Sequence, residues 1–118
     1  MKLSWAKCAD GGWCSFESVD LSNVRAYGVY VIWRASGEPG QPSTVVYVGQ
    51  GQIATRLAEH RSDPAIVRHG PRLLLTWAEV APVFSGGVEV YLARQLRPLE
   101  AARLPPAMPV EVNLPLTA

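Results

Sequence analysis

Four side chains between residues 30 and 60 have types and spacings that could carry chemistry. Arg56 and His60 stand four residues apart in a segment without Gly or Pro, so a helix there would place them one turn apart. Tyr30 and Tyr47 lie in two separate runs of β-branched and aromatic residues. A guanidinium holds phosphate oxygens bidentately, so Arg suits a phosphate better than Lys does. Taken singly, each of the four is most simply a structural or surface residue.

Two predicted strands must position the tyrosines. Residues 27–34 and 43–49 are rich in Val, Ile, Tyr and Trp, and the residues between them are Gly, Pro, Ser and other turn formers. The pattern predicts an antiparallel hairpin with a long loop. If Arg34 faces Ser43, then Tyr30 faces Tyr47, and the two phenols share one face of the sheet.

Two helices are predicted after this hairpin. Residues 52–61 form the first, in which Ile53, Leu57 and His60 fall on one face at about 100° per residue. A short second helix runs over residues 63–69, because an Asp cap followed by Pro is a helix start signal. The first of these helices would carry both Arg56 and His60.

The remaining residues predict a third strand, a long helix and an irregular tail. Residues 72–80 form an apolar run that suits a central strand covered on both faces. Leucines and valines at helical spacing predict a helix from about residue 88 to about residue 104, which Pro98 should kink or split. The tail from residue 105 onward is rich in proline and should pack as an extended strap.

Composition limits the class of protein. The chain has 118 residues, of which 48% are hydrophobic and 18% charged, so one folded domain is expected and disorder is excluded. Ten Gly and ten Pro argue against a simple helical bundle and favour an α+β architecture. The formal net charge is +1, so an anionic partner would have to meet a local basic patch.

The N-terminal residues 1–26 give weaker signals. We expect an N-terminal extension that packs on the core, with a role in substrate recognition as the alternative. Cys8 and Cys14 lack the CxxC spacing of metal or redox motifs, so reduced thiols are expected. No apolar run resembles a signal peptide or a membrane span, which predicts a cytoplasmic protein without membrane contact.

In order, the chain contains Gly28-Val29-Tyr30, Tyr47-Val48-Gly49, Arg56, His60, Glu100 and Asn113. This series resembles the GIY-YIG nuclease superfamily over about residues 27–114, with the stretch YVGQGQIATRLAEHR as its most specific part. The resemblance implies a small three-stranded antiparallel sheet flanked by helices, in a nuclease domain at residues 27–118. It also implies a metal-dependent endonuclease that hydrolyses phosphodiester bonds in DNA.

The resemblance implies a role for each residue of the site. Tyr30 would be the general base on the attacking water, and Tyr47 would contribute hydrogen bonds. Arg56 would stabilise charge on the phosphate, and His60 would assist proton transfer or orient Tyr30. A free tyrosine titrates near pH 10, so a phenolate base needs a cationic setting, which Arg56 and a bound metal would provide.

The acid that binds the metal has two candidates. The resemblance points to Glu100 as the ligand of one Mg²⁺ or Mn²⁺ ion, with water and phosphate oxygens completing the coordination. Pro98, two residues earlier, is awkward in a helix that should hold this carboxylate. Glu89 is the alternative, since eleven residues equal about three helical turns and would present both acids on one side. Asn113 would support the site from the C-terminal segment.

DNA is the expected partner, bound weakly by the isolated domain because few cations are available. A homodimer or a partner protein could add specificity. The alternative hypothesis is a catalytically inactive module of the same fold that binds nucleic acid or protein. The arginines expected to contact the nucleic-acid backbone are Arg61, Arg68, Arg72, Arg97 and Arg103.

Overall fold

The computed structural model describes residues 1–37, 43–100 and 103–116. Over these residues the fold is α+β, with an antiparallel sheet in the order β1-β4-β2-β3 and helices on its two faces. The elements in chain order are β1 (Cys14–Ser15), β2 (Tyr27–Arg34), β3 (Thr44–Gln52), α1 (Ile53–Arg61), α2 (Pro64–Val67), β4 (Leu73–Glu79) and α3 (Pro82–Leu96).

The sheet has four strands, so the prediction of three was wrong. The additional strand, β1, comes from the N-terminal extension and pairs with β4 through Cys14 opposite Leu75 and Ser15 opposite Leu74. A strand of two residues is too short to show an alternating pattern, which explains why periodicity missed it. This pairing makes β4 an inner strand, between β1 and β2.

The register of the β2–β3 hairpin also differs from the prediction. Tyr30 lies opposite Gly49, Tyr47 lies opposite Ile32, and the register shifts between Ile32 and Trp33. Tyr30 and Tyr47 are therefore diagonal neighbours on one face rather than a directly opposed pair. The predicted register assumed a regular ladder from symmetric strand ends, and an irregularity within the ladder breaks that assumption.

The two faces of the sheet form two separate cores, because side chains alternate along β2. One face packs against α3 and includes Val29, Val31 and Trp33. The other packs against α1 and includes Tyr30 and Ile32. This alternation sends Tyr30 toward the helix that carries Arg56 and His60.

Helix α3 begins six residues before the predicted start and ends eight before the predicted end, at Leu96. Arg97 follows with φ 49°, in the left-handed region, and Pro98 lies beyond the helix instead of kinking it. Gly86 and Gly87 lie inside the helix, in the part that the tail crosses. A Cβ on Gly87 would come within 2.6 Å of a methyl carbon of Val110.

The tail and the N-terminal segment complete the packing. Residues 103–116 contain no helix or strand, Val110 N–H donates to the Gly87 carbonyl at 2.9 Å, and Val112 is buried in the α3-side core. A disulfide joins Cys8 and Cys14, so the expectation of reduced thiols was wrong. A turn in which the Cys8 N–H donates to the Gly12 carbonyl brings the two cysteines together. No helix among residues 1–37, 43–100 and 103–116 has the length and apolarity to cross a bilayer.

Candidate active site

Three aromatic rings meet on the α1 side of the sheet. The Tyr30 hydroxyl lies 2.7 Å from Nε2 of His60, and both side chains are buried. The Tyr47 ring stacks on Tyr30 at 6.1 Å between centroids and contacts His60 at 4.4 Å. Tyr47 is only half-buried, so it is the most accessible ring of the three. The structure thus brings together three of the predicted site residues.

Gly49 makes room for this arrangement. It lies directly opposite Tyr30 in the ladder, and the Tyr30 ring covers the space where a side chain would stand. A Cβ at this position would lie 2.5 Å from Cζ of Tyr30 and 2.9 Å from Cε1 of Tyr47, both closer than real Cβ contacts. The glycine that follows Tyr47 by two residues is therefore a steric requirement of the ring cluster.

Arg56 lies against the end of β3 at Gly51. Gly51 has φ +139°, a conformation that favours glycine, and a Cβ there would lie 2.8 Å from Cγ of Arg56. Helix α1 starts two residues later, where the Gln52 side chain accepts a hydrogen bond from Thr55 N–H at 2.7 Å. The Arg56 stem thus lies across Gly51, and the charge of its guanidinium acts on both Tyr30 and Tyr47, whose pKa it lowers.

The electrostatics of the cluster favour neutral rings. Burial raises the pKa of Tyr30 and of Tyr47 above their ordinary value, although the Arg56 charge opposes the shift. Burial also lowers the pKa of His60, and Arg56 adds to that effect. Near neutral pH the site therefore holds two phenols, a neutral imidazole and one guanidinium. Arg56 was expected to help favour the phenolate. Its charge does lower the pKa of Tyr30 and Tyr47, but burial raises the pKa of both by more.

A buried carboxylate on the α3 side of the sheet lies within electrostatic range of the same guanidinium. Glu89 is 4% exposed in the middle of α3, and Gln50 Nε2 on β3 donates a hydrogen bond to its Oε1 at 2.8 Å. Burial raises the pKa of Glu89, whereas the Gln50 hydrogen bond and the Arg56 charge lower it. The Glu89 charge in turn raises the pKa of both Tyr30 and Tyr47. Of the two candidate acids, Glu89 is the one electrostatically linked to the ring cluster.

Glu100 lies elsewhere. Its N–H donates to the Val46 carbonyl at 2.9 Å, along the outer edge of β3. Its carboxylate pairs with Arg68 Nη2 at 2.6 Å and lies 3.7 Å from Nε2 of His69. Because α3 ends at Leu96, Glu100 is not on the helix that was expected to present it.

Asn113 also lies apart from the cluster. Its Oδ1 accepts a hydrogen bond from Leu3 N–H at 2.6 Å, and its Nδ2 donates to the Leu3 carbonyl at 3.0 Å. The backbone carbonyl of Asn113 accepts a hydrogen bond from Nε1 of Trp5 at 3.0 Å. Asn113 therefore ties the tail to the N-terminal segment in this structure.

The five arginines expected at a nucleic-acid interface divide into two groups. Arg61 is held by hydrogen bonds to the carbonyls of Phe16 at 2.8 Å and Val19 at 2.6 Å, and Arg68 is paired with Glu100. The other three are exposed at separate places on the surface, namely Arg72, Arg97 and Arg103.

The described residues contain no group of three or more His, Cys, Asp or Glu side chains that could hold a metal by themselves. Two carboxylates act on Arg56: Glu59, which is exposed and paired with it, and Glu89, which is buried with the Gln50 amide beside it. Mg²⁺ keeps several waters and commonly binds through one or two carboxylates plus substrate phosphates, so this donor set fits it.

Sequence reasoning missed three contributors to the site. Gln50 orients Glu89, Gly51 accommodates Arg56, and Glu59 pairs with Arg56 at 3.1 Å. The signal available was the pair of glycines two residues apart after Tyr47, which marks close approach of other groups to the strand. No protein-family model, curated protein or solved structure matched this chain, so the geometry alone supports an assignment.

Proposed function

We propose that this chain is a metal-dependent phosphodiesterase acting on DNA, with its active site at Arg56. The observation that supports this proposal most strongly is the cluster of two phenols and a neutral imidazole, on which the Arg56 charge acts. The buried Glu89 carboxylate, on the α3 side of the sheet, lies within electrostatic range of Arg56. A buried carboxylate near the reaction centre and a partly exposed Arg are what phosphoryl chemistry needs, because charge develops on the phosphate oxygens.

Arg56 binds the scissile phosphate in this proposal. Its side chain is 34% exposed, so a phosphate can reach the guanidinium from solvent. The contacts with Gly51 and the two phenols hold the guanidinium in place before substrate arrives. A donor fixed in advance at developing charge contributes roughly 3 to 4 kcal/mol to transition-state stabilisation.

In this proposal the imidazole of His60 is the final acceptor of the proton of the attacking water, and each neutral phenol relays it by taking up one proton while giving up its own. Tyr47 is the substrate-facing phenol because it is half-buried, whereas Tyr30 has 0% exposure. Tyr30 and His60 form the hydrogen-bonded pair behind it, and with the imidazole proton on Nδ1 the Tyr30 hydroxyl donates to Nε2. The role of Tyr30 is thus a relay in its neutral form, since burial disfavours the phenolate.

Glu89 would hold the metal ion, with Gln50 orienting its carboxylate through the 2.8 Å hydrogen bond. When bound, Mg²⁺ or Mn²⁺ would supply positive charge that neutralises the phosphate. The exposed Arg72, Arg97 and Arg103 would contact the nucleic-acid backbone away from the cleaved bond, while Arg61 has a structural role.

The experiment is cleavage of plasmid and branched DNA with Mg²⁺ or Mn²⁺ by wild type, Arg56→Ala, Glu89→Gln and Glu100→Gln. The first two variants should lose at least about 100-fold in rate, as expected when a group that stabilises transition-state charge is removed. Glu100→Gln is the matched control, because it removes a carboxylate that the structure pairs with Arg68. Activity that persists in both Arg56→Ala and Glu89→Gln would overturn the proposal.

A catalytically inactive binding module is the second candidate. The observation that favours it is the complete burial of Tyr30, which keeps one phenol of the pair away from any substrate. DNA binding by wild type without cleavage in either metal, weakened by Arg56→Ala, would support this candidate over the first.

A further inference from the structure

The partly exposed guanidinium of Arg56 has an acidic partner on its own helix. Nη1 of Arg56 lies 3.1 Å from Oε2 of Glu59, three residues later on α1. The two side chains are 34% and 57% exposed, so the pair lies at the solvent boundary. The inner contacts of Arg56 are with Tyr30 and Tyr47, so Glu59 is the partner on its more exposed side.

Helix stability does not account for an acid at this position. Glu59 lies in the last turn of α1, together with His60 and Arg61. The carbonyl end of a helix favours cations, so a carboxylate in the last turn is unfavourable there. An acid–base pair within one helix is also less favourable when the basic residue precedes the acidic one, as Arg56 precedes Glu59. The position of Glu59 is explained better by what its carboxylate does to Arg56.

A carboxylate and a phosphodiester offer the same chemistry to a guanidinium. Both are anions with oxygen acceptors, and Arg binds either one through parallel N–H donors. The Arg56–Glu59 pair is exposed and therefore weak, of the kind that contributes little to stability. An incoming phosphate can consequently replace Glu59 without disturbing the buried contacts of Arg56.

We propose that Glu59 is a displaceable occupant of the phosphate site: it pairs with Arg56 in the free protein and is released when a phosphodiester binds. This proposal rests on the function proposed above and adds a regulatory element to the same site. Its consequence is that Glu59 lowers substrate affinity without taking part in the chemical step. Binding of a lone phosphate group is thereby weakened by the same factor, and a DNA chain that also contacts other arginines is favoured.

The test compares binding of a fluorescent duplex oligonucleotide to Glu89→Gln, Glu89→Gln with Glu59→Gln, and Glu89→Gln with Glu17→Gln. Glu17 is exposed and distant in sequence from α1, so its substitution controls for the change in net charge. We expect the Glu59 substitution to tighten binding by about two- to fivefold relative to the Glu17 control. With Glu89 intact, Glu59→Gln should lower KM by a similar factor and keep kcat within about twofold of wild type.

Equal affinities of the Glu59 and Glu17 variants would overturn the proposal. A fall in kcat on Glu59→Gln would also overturn it, because Glu59 would then position Arg56 for catalysis. Titration of inorganic phosphate, followed by the Arg56 Nε resonance, separates this question from the nuclease function. A lower phosphate midpoint in Glu59→Gln than in wild type supports displacement even if DNA is never cleaved, and an unchanged midpoint refutes it.

Discussion

Gly49→Ala tests the geometry of the ring cluster with the addition of a single methyl group. Tyr30 lies over Gly49, and its hydroxyl is 2.7 Å from His60, so the ring has a fixed position. The added Cβ would lie 2.5 Å from Cζ of Tyr30 and 2.9 Å from Cε1 of Tyr47. Ordinary van der Waals contact begins at 3.4 Å, so both rings must move by several tenths of an ångström or more.

The expected cost follows from these distances. Overpacking of a buried site costs about 1 to 3 kcal/mol. For 118 residues, with an unfolding entropy of about 2.1 cal/mol/K per residue, this cost lowers Tm by about 4 to 12 °C. A displacement near 1 Å in a catalytic group can reduce the rate by about 100-fold. We therefore expect both stability and cleavage to fall.

Thermal unfolding and a DNA cleavage assay measure the two effects, with Gly86→Ala as the matched control. A Cβ on Gly86 would meet its nearest neighbour, Pro105, at 3.4 Å, and Ala favours a helix interior. The control should keep its activity and its Tm, or melt slightly higher. Wild-type Tm and cleavage in Gly49→Ala would show that the Tyr30 ring does not cover Gly49 and would refute the site geometry.

Three further predictions concern stability. Burial raises the pKa of Glu89 above its unfolded value of 4.5, so its contribution to stability is present below that pH and is lost as pH rises through the folded value. In thermal scans, Glu89→Gln should therefore have a higher Tm than wild type at pH 8, and the difference should shrink toward pH 4. An equal difference in Tm at both pH values would contradict the burial argument. Arg61→Ala removes two hydrogen bonds to N-terminal carbonyls and should cost about 2 kcal/mol in urea unfolding, whereas a wild-type midpoint would show that this arginine does not anchor the segment. Reduction of the Cys8–Cys14 disulfide, which closes a loop with a sequence separation of 6, should lower the free energy of unfolding by about 2 kcal/mol, and unchanged unfolding after complete reduction would contradict it.

The local elements around the site were predictable because their signals lie within short windows. The β-branched run at residues 27–34 is β2, and the segment after Gly51 is α1 with His60 on its buried face. The pairing register was not predictable, because the shift between Ile32 and Trp33 depends on the partner strand. Together with the pairing of Arg34 with Thr44 rather than Ser43, that one-residue shift places Gly49, rather than Tyr47, opposite Tyr30.

The extent of α3 shows a different limit of sequence reasoning. Two adjacent glycines are poor helix formers, so the predicted helix started after Gly86 and Gly87, at about residue 88. In the structure both glycines lie inside the helix, and the tail packs closely on them. This contact joins segments that are distant in sequence, so no local pattern predicts it. Glu100 was preferred because of the resemblance, and the helix that was expected to carry it ends at Leu96 instead of residue 104.

The positions of the candidate acids and of Asn113 depend on contacts between residues that are far apart in sequence. Glu89 was the alternative because of its helical spacing, and its burial beside Gln50 became visible only in three dimensions. Asn113 was expected near the site, yet its partner is Leu3, 110 residues away in sequence. Contacts at such separations are fixed by the packing of the whole domain rather than by any local motif.

The most direct measurement of the central claim is anomalous scattering from crystals soaked with Mn²⁺ and a phosphorothioate duplex that resists cleavage. The account predicts one Mn²⁺ ion within coordination distance of the Glu89 carboxylate, with a backbone phosphate between the ion and the Arg56 guanidinium. A Mn²⁺ ion bound at Glu100, or a duplex phosphate located away from Arg56, would contradict it.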